Sequence, residues 1–153
     1  MDTDAGTLLR QLTLQPGQGV LNHRPELAQQ YAAFIDCIWA QPSPSRRVLE
    51  LCHRRITAIH GQSPQPSMDY GVALTGDELK SLQRGDFAPF SADEQLALAV
   101  AELMPYNHHA VTDVQMHACE QAFGAAGAVN LLVALAFFDV NCRLQLTLQA
   151  DQL

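Results

Sequence analysis

"RVLELCHRRITAIHGQSPQPSMDYGVALTG", residues 47–76, is the stretch that decides the fold. Its first half has the spacing of an amphipathic helix. Ser45 precedes it as a predicted N-cap, and Gly61 stops it after His60. Val48, Leu51, Cys52, Ile56 and Ile59 fall on one apolar face. Glu50, His53, Arg54, Thr57 and His60 fall on a polar stripe beside it. The stripe leads to a loop at 62–67, where Pro64 and Pro66 forbid helix and the side chains on offer are Gln, Ser, Pro and Gln. A helix rich in titratable groups therefore runs into a loop with almost none.

The flanks repeat the pattern of capped helices. Upstream, Pro25 opens a helix that runs to Ala40, with Leu27, Tyr31, Phe34, Ile35, Ile38 and Trp39 as its buried stripe, and "QPSPS" breaks it. Downstream, a helical turn is expected over 68–74. A short helix follows over 75–85, with Thr75 and Glu78 as a capping box and Gly85 as terminator. Ser91 and Glu94 open the next helix, which Pro105 ends, and Thr112 and Gln115 open another over 112–124. The last segment, from Ala128, is apolar on all sides, as a helix buried in a core or against another subunit would be. Its tail "RLQLTLQ" alternates like a strand but has no strand to pair with and is read as helix. The sum is about seven helices and an all-α fold. Residues 1–24 are expected to form a loosely structured N-terminal arm, and residues 25–153 a single helical domain.

A chain of 153 residues can bury a core without disulfides. The four cysteines, Cys37, Cys52, Cys119 and Cys142, have neither Cys-x-x-Cys nor zinc spacing and read as small buried hydrophobes. The net charge of −7 argues against nucleic acid. No unbroken apolar run approaches the roughly 18 residues of a membrane span, and "MDTDAG" does not open like a signal peptide, so the expected location is the cytoplasm. Arg46, Arg47, Arg54 and Arg55 cluster on the quoted helix, either to hold an anion or to pair with acids of the same chain or a neighbouring subunit.

Three segments together resemble the carboxymuconolactone decarboxylase superfamily, in particular its alkylhydroperoxidase D-like branch. "RVLELCHRRITAIHG" is similar to the family's Arg-x-x-Glu-Leu helix before the active-site loop. "ALTGDELKSLQRGDFAPFSADEQLALAVAELM" resembles its short Glu-rich helix and the following F-S-x-x-E helix start. "VTDVQMHACEQAFGAAGAVNLLVALAFFDVNCRL" is similar to its penultimate helix, glycine turn and final buried helix. The resemblance covers residues 45–149 and rests on the order and spacing of the segments. It implies a helical domain that assembles as a homo-oligomer, a trimer or a hexamer.

Redox-active members carry Cys-x-x-Cys-x-x-x-His after that helix. One thiolate attacks a peroxide or disulfide, the second resolves the intermediate, and the histidine and an upstream glutamate move protons. Laid on this chain, the cysteines fall on Gln62 and Gln65, the histidine on Asp69 and the glutamate on Glu50. The glutamate is kept and both nucleophiles are gone. The histidine on which the decarboxylase branch relies in this region is missing too.

Each candidate has two readings. Glu50 is a proton-relay carboxylate or an i,i+4 partner of Arg54, a pairing worth about 0.2–0.5 kcal/mol. Cys52 is a replacement nucleophile or buried filler. Glu50 and His53 make one Glu-x-x-His pair, but a di-iron site needs two pairs and further glutamates, so no metal and no other cofactor is expected. His60 and His109, beside His108 and His117, are candidate binding groups near the 62–67 loop. Gln62, Ser63, Gln65 and Asp69 line a polar pocket or form a drifted surface loop. Three functions remain open: a non-redox small-molecule binder with acid–base help from Glu50, a peroxidase or disulfide reductase acting through another thiol such as Cys52, and a non-catalytic structural or regulatory subunit.

Overall fold

The helix starts marked by Ser45, Thr75, Ser91 and Thr112 are all present with their caps. The computed structural model describes residues 19–62 and 70–148. Within them the chain forms five α-helices: α1 (Pro25–Ala40), α2 (Arg46–Ile59), α3 (Gly76–Arg84), α4 (Ala92–Asn107) and α5 (Asp113–Leu148). Short 3-10 turns occupy Val20–His23 and His108–Ala110. The all-α expectation holds, with no strand among the described residues. Ser45 accepts a hydrogen bond from the Val48 amide, and Thr75–Glu78 and Ser91–Glu94 form reciprocal capping boxes. Thr112 and Gln115 exchange the same two bonds.

The count of about seven helices is corrected to five, for two reasons. The helices expected at 112–124 and from 128 are counted together as α5, two helical segments that meet across a kink at Gly124, whose φ 75°, ψ 164° is not helical. Glycine takes this conformation readily, and the boundary expected at 124 is where the kink falls. Further, the described part of the expected 68–74 turn, from Tyr70 on, is not helical. Pro105 also fails to end α4, which continues to Asn107. The carbonyl of Pro105 accepts a 2.6 Å hydrogen bond from Arg143 of α5, so this last turn is held from outside the helix. The tail of α5 is helix through Leu148, as read.

Helix α2 is the axis of the fold. It packs against α3, α4 and α5, while α1 lies on α5. Its Leu49, Leu51, Cys52 and Ile56 are fully buried against Leu98 and Val100 of α4 and Leu131, Leu135 and Phe138 of α5. Each such side chain contributes about 1.5–3 kcal/mol of burial free energy. With neighbours on three sides, α2 has little room for a solvated face. The expected polar stripe is corrected accordingly: Glu50, His53 and Thr57 are as buried as the apolar residues beside them.

The arginine cluster is used inside the chain. Arg47 reaches Glu94 at 2.7 Å and also Glu78. Arg55 holds both carboxylate oxygens of Glu102 and donates to the Leu82 carbonyl at 2.8 Å, capping the end of α3. Arg46 donates to the Trp39 carbonyl at 3.3 Å, and Arg54 pairs with Glu50. Of the two readings for this cluster, pairing within the chain is the one realised.

Helix α5 is apolar on its outer side as well. Val129, Val133, Val140 and Leu146 are exposed, as are Leu27 and Phe34 of α1. By length and composition alone α5 is apolar enough to cross a membrane, although Asn130 and Asp139 keep any unbroken apolar run in it short. The core helix of a soluble protein passes the same test. On the inner side, a Cβ on Gly127 would stand 2.5 Å from Ser43 Oγ, so glycine lets the α1–α2 connection lie against α5. Ser43 Oγ there donates to the Phe123 carbonyl at 2.8 Å.

Candidate functional site

The groups that α2 presents fall into two clusters nearly three turns apart. The first contains Glu50, which is 3% exposed. Its Oε1 accepts from Arg54 Nε. Its Oε2 lies 3.6 Å from His53 Nδ1, beyond hydrogen-bond length, and neither atom has another partner among the described residues. His53 is held by packing: its ring centroid is 4.9 Å from Phe138 and 6.5 Å from Trp39, and Trp39 in turn stacks on Tyr70 at 4.6 Å. A buried polar atom without a partner costs about 1–3 kcal/mol, so this pair is retained against its own stability.

Beside the cluster, a cleft of about 390 Å³ opens between α2 and α3, lined by Arg54, Thr57, Gly61, Gln62, Leu79 and Gln83. Gly61, at φ 67°, turns the chain out of the helix. The Gln62 amide then donates back to the Thr57 carbonyl at 2.8 Å, which fixes Gln62 at the cleft wall. Its Oε1 is buried without a partner among the described residues. Thr57 Oγ1 donates to the carbonyls of Arg54 and His53 and so keeps its lone pairs free. The cleft therefore combines a guanidinium, two side-chain amides and unsatisfied acceptors.

The remaining candidates disperse. Gln65 and Asp69, with Ser63, lie outside the described residues. Cys52 is fully buried, and desolvation, with Cys119 nearby, pushes its thiol well above the usual range. That is the opposite of what a nucleophilic thiolate needs. Cys142 is pushed up to about 12, first by burial and then by Asp139. Cys119 is also buried, whereas Cys37 is exposed, so the buried-hydrophobe reading holds for three of the four. His109 is exposed and its ring lies 4.0 Å from that of His108. His117 is exposed and interacts with Gln121 and Glu120 on its own helix. No group of three or more potential metal ligands occurs among the described residues.

His60 begins the second cluster, together with residues the sequence did not single out. Its Nε2 lies 2.7 Å from Asp139 Oδ1, and the Tyr106 hydroxyl lies 3.3 Å from its Nδ1. Asp139 and Tyr106 stand 79 and 46 positions away in the chain, so helical spacing could not reveal them. One signal was available: Asp139 is the lone acid in the apolar run from 121 to 142. An acid placed in such a run needs a partner.

No protein-family model matches this chain, and no curated protein or solved structure is significantly similar to it.

Proposed function

We propose that the chain is a carboxymuconolactone decarboxylase-like helical protein of the alkylhydroperoxidase D-like type that has lost its redox cysteines. In this reading it binds a small molecule in the α2–α3 cleft, with Glu50 as the acid–base group. The observation that carries the reading is a buried acceptor at the cleft wall, Gln62 Oε1, without a partner among the described residues, joined by the equally unpartnered Glu50 Oε2 behind the cleft-lining Arg54. Both are acceptors, so the favoured ligand brings hydrogen-bond donors such as hydroxyl or amino groups. Gln62 and Gln83 amides and the Arg54 guanidinium supply the complementary donors.

Peroxidase or disulfide-reductase chemistry through Cys52 is the weaker reading, because its thiol is buried and held protonated. A non-catalytic subunit draws support from the internally paired arginines, but it gives no reason to keep a buried carboxylate and imidazole unpaired. The same family reading makes the chain a cytoplasmic homo-oligomer, with the exposed valines of α5 facing a second copy.

The test pairs two assays. Small hydroxylated and aminated compounds are screened by thermal shift against wild type, Glu50→Gln and Gln62→Ala. A compound that stabilises wild type and neither variant supports the reading, and a compound that stabilises all three equally counts against it. Hydroperoxide consumption with a dithiol reductant is expected to be absent. Turnover that disappears in Cys52→Ser would overturn the non-redox reading. For assembly, Val129→Glu should shift an oligomer toward monomer in light scattering, and a wild type already monomeric would remove that element.

A further inference from the structure

The cluster at the far end of α2 has a proton-transfer order that its geometry dictates. Asp139 Oδ1 lies 2.7 Å from His60 Nε2. An ionised carboxylate only accepts, so Nε2 carries the hydrogen. In the neutral ring the lone pair is then on Nδ1, and Nδ1 faces the Tyr106 hydroxyl at 3.3 Å. The phenol therefore donates to the imidazole, and the imidazole donates to the carboxylate. Asp139 Oδ2 accepts from Arg143 Nε at 2.8 Å, and Arg143 also donates to the Pro105 carbonyl and lies 5.9 Å over the Tyr106 ring. The His60 side chain is 3% exposed, Asp139 is 16% exposed, and Tyr106 at the outer end is 66% exposed. A buried acid, a buried base and an accessible hydroxyl thus stand in series, supplied by α5, the end of α2 and α4.

The other two tyrosines of the chain are placed differently. Tyr31 is packed on Phe137 and its hydroxyl is buried without a partner. Tyr70 gives its hydrogen to the carboxylate of Asp36 at 2.8 Å. Burial pushes both phenols up, and for Tyr70 the Asp36 bond adds to this. Tyr106 is the tyrosine that meets a base with a free lone pair.

We propose that Tyr106 is a base-assisted nucleophile that accepts acyl groups from unhindered activated esters. As Tyr106 Oη bonds to the acyl carbon, its proton passes to His60 Nδ1. The carbon–oxygen bond to the leaving group breaks, and His60 returns the proton to the departing alkoxide or aryloxide. The products are an O-acyl tyrosine and an alcohol, with no net change in the protonation of His60 or Asp139. Asp139 and Arg143 are positioning residues: they fix the tautomer and orientation of the ring without touching the donor. The site is separate from the α2–α3 cleft and does not depend on its reading.

The experiment treats the full folded chain with a p-nitrophenyl acyl ester and follows acylation of each tyrosine by peptide mass spectrometry. Tyr106 is expected to react at least about a hundred-fold faster than Tyr70, as general-base help of ordinary size would give. In wild type its rate should rise at lower pH than the acylation of free N-acetyltyrosinamide by the same ester. Asp139→Asn should lower the rate and displace that profile. His60→Gln should reduce Tyr106 to the level of Tyr70, and Tyr106→Phe should remove the label at unchanged melting temperature. Equal labelling of Tyr106 and Tyr70, or a wild-type rate with the same pH dependence as free N-acetyltyrosinamide, would overturn the proposal. The wild-type profile decides the matter even if His60→Gln or Asp139→Asn does not fold.

Discussion

Glu50–His53 and His60–Asp139 are both carboxylate–imidazole pairs rooted on α2, yet one is open at 3.6 Å and the other closed at 2.7 Å. The open pair is local. Its members stand at i and i+3 on one helix, so the backbone sets their separation. Arg54, one turn on, draws one Glu50 oxygen away. The closed pair joins residues 79 apart, and tertiary packing brings α5 to the end of α2 until the atoms meet. Asp139 then has both oxygens engaged, and the His60 ring has both nitrogens engaged. The closed pair can hold the fold together and relay a proton outward. The open pair does neither within the chain, and so it is the one suited to a ligand.

The largest effect should come from breaking the closed pair. Asp139→Ala leaves His60 and Arg143 without their shared acid and should cost about 3 kcal/mol in urea unfolding. A loss well under about 1 kcal/mol would mean that the pair is not a structural clasp. The open pair should respond in the other direction. His53→Phe places a ring of similar shape among Trp39 and Phe138 and removes an unpartnered nitrogen. Stability should rise by about 1 kcal/mol while any ligand-induced thermal shift is lost. A marked destabilisation would show that His53 already has a structural partner. Glu50→Gln should change stability by less than about 1 kcal/mol, because Arg54 is partly solvated and Glu50 Oε2 makes no bond to lose.

The smallest effect concerns acid. The Arg47 hydrogen bond, followed by the Thr75 amide, holds the Glu78 carboxyl down at about 2. A carboxylate lowered on folding stabilises the fold above its unfolded value of about 4.3, and that contribution is lost as pH falls through the folded value. Glu78→Gln should therefore flatten the acid limb of the stability curve between pH 4.3 and about 2. An unchanged limb would place the acid sensitivity elsewhere, with Glu94, lowered by the Ser91 amide and Arg47 against its own burial, as the next group to replace.

What the sequence made legible was local. Ser45, Thr75, Ser91 and Thr112 cap helices with residues three positions on, and Gly61 and Gly85 stop them with positive φ. What it hid depends on neighbours brought in by the fold. The burial of Glu50, His53 and Thr57 follows from three helices closing on α2, and the run through Pro105 from a guanidinium on α5. Gly124 divides α5 where the sequence placed a terminator, and what the sequence did not show is that both halves pack on the same core. On the site, Glu50 and Gln62 were legible, Gln62 at the wall of the cleft and Glu50 behind its Arg54, whereas Tyr106 and Asp139 were reachable only through contacts between distant segments.

Arg47 engages two acids at once. Its two partners, Glu78 and Glu94, are also the acids of the two capping boxes, so one side chain ties the starts of α3 and α4 to α2. Inheritance should treat the three positions as one. A descendant that replaces Arg47 relaxes the demand on both acids at once, while a descendant that changes either acid strands part of the guanidinium. Residues 47, 78 and 94 should therefore drift together among relatives, whereas the exposed pair Asp77 and Lys80 on the same short helix should drift singly.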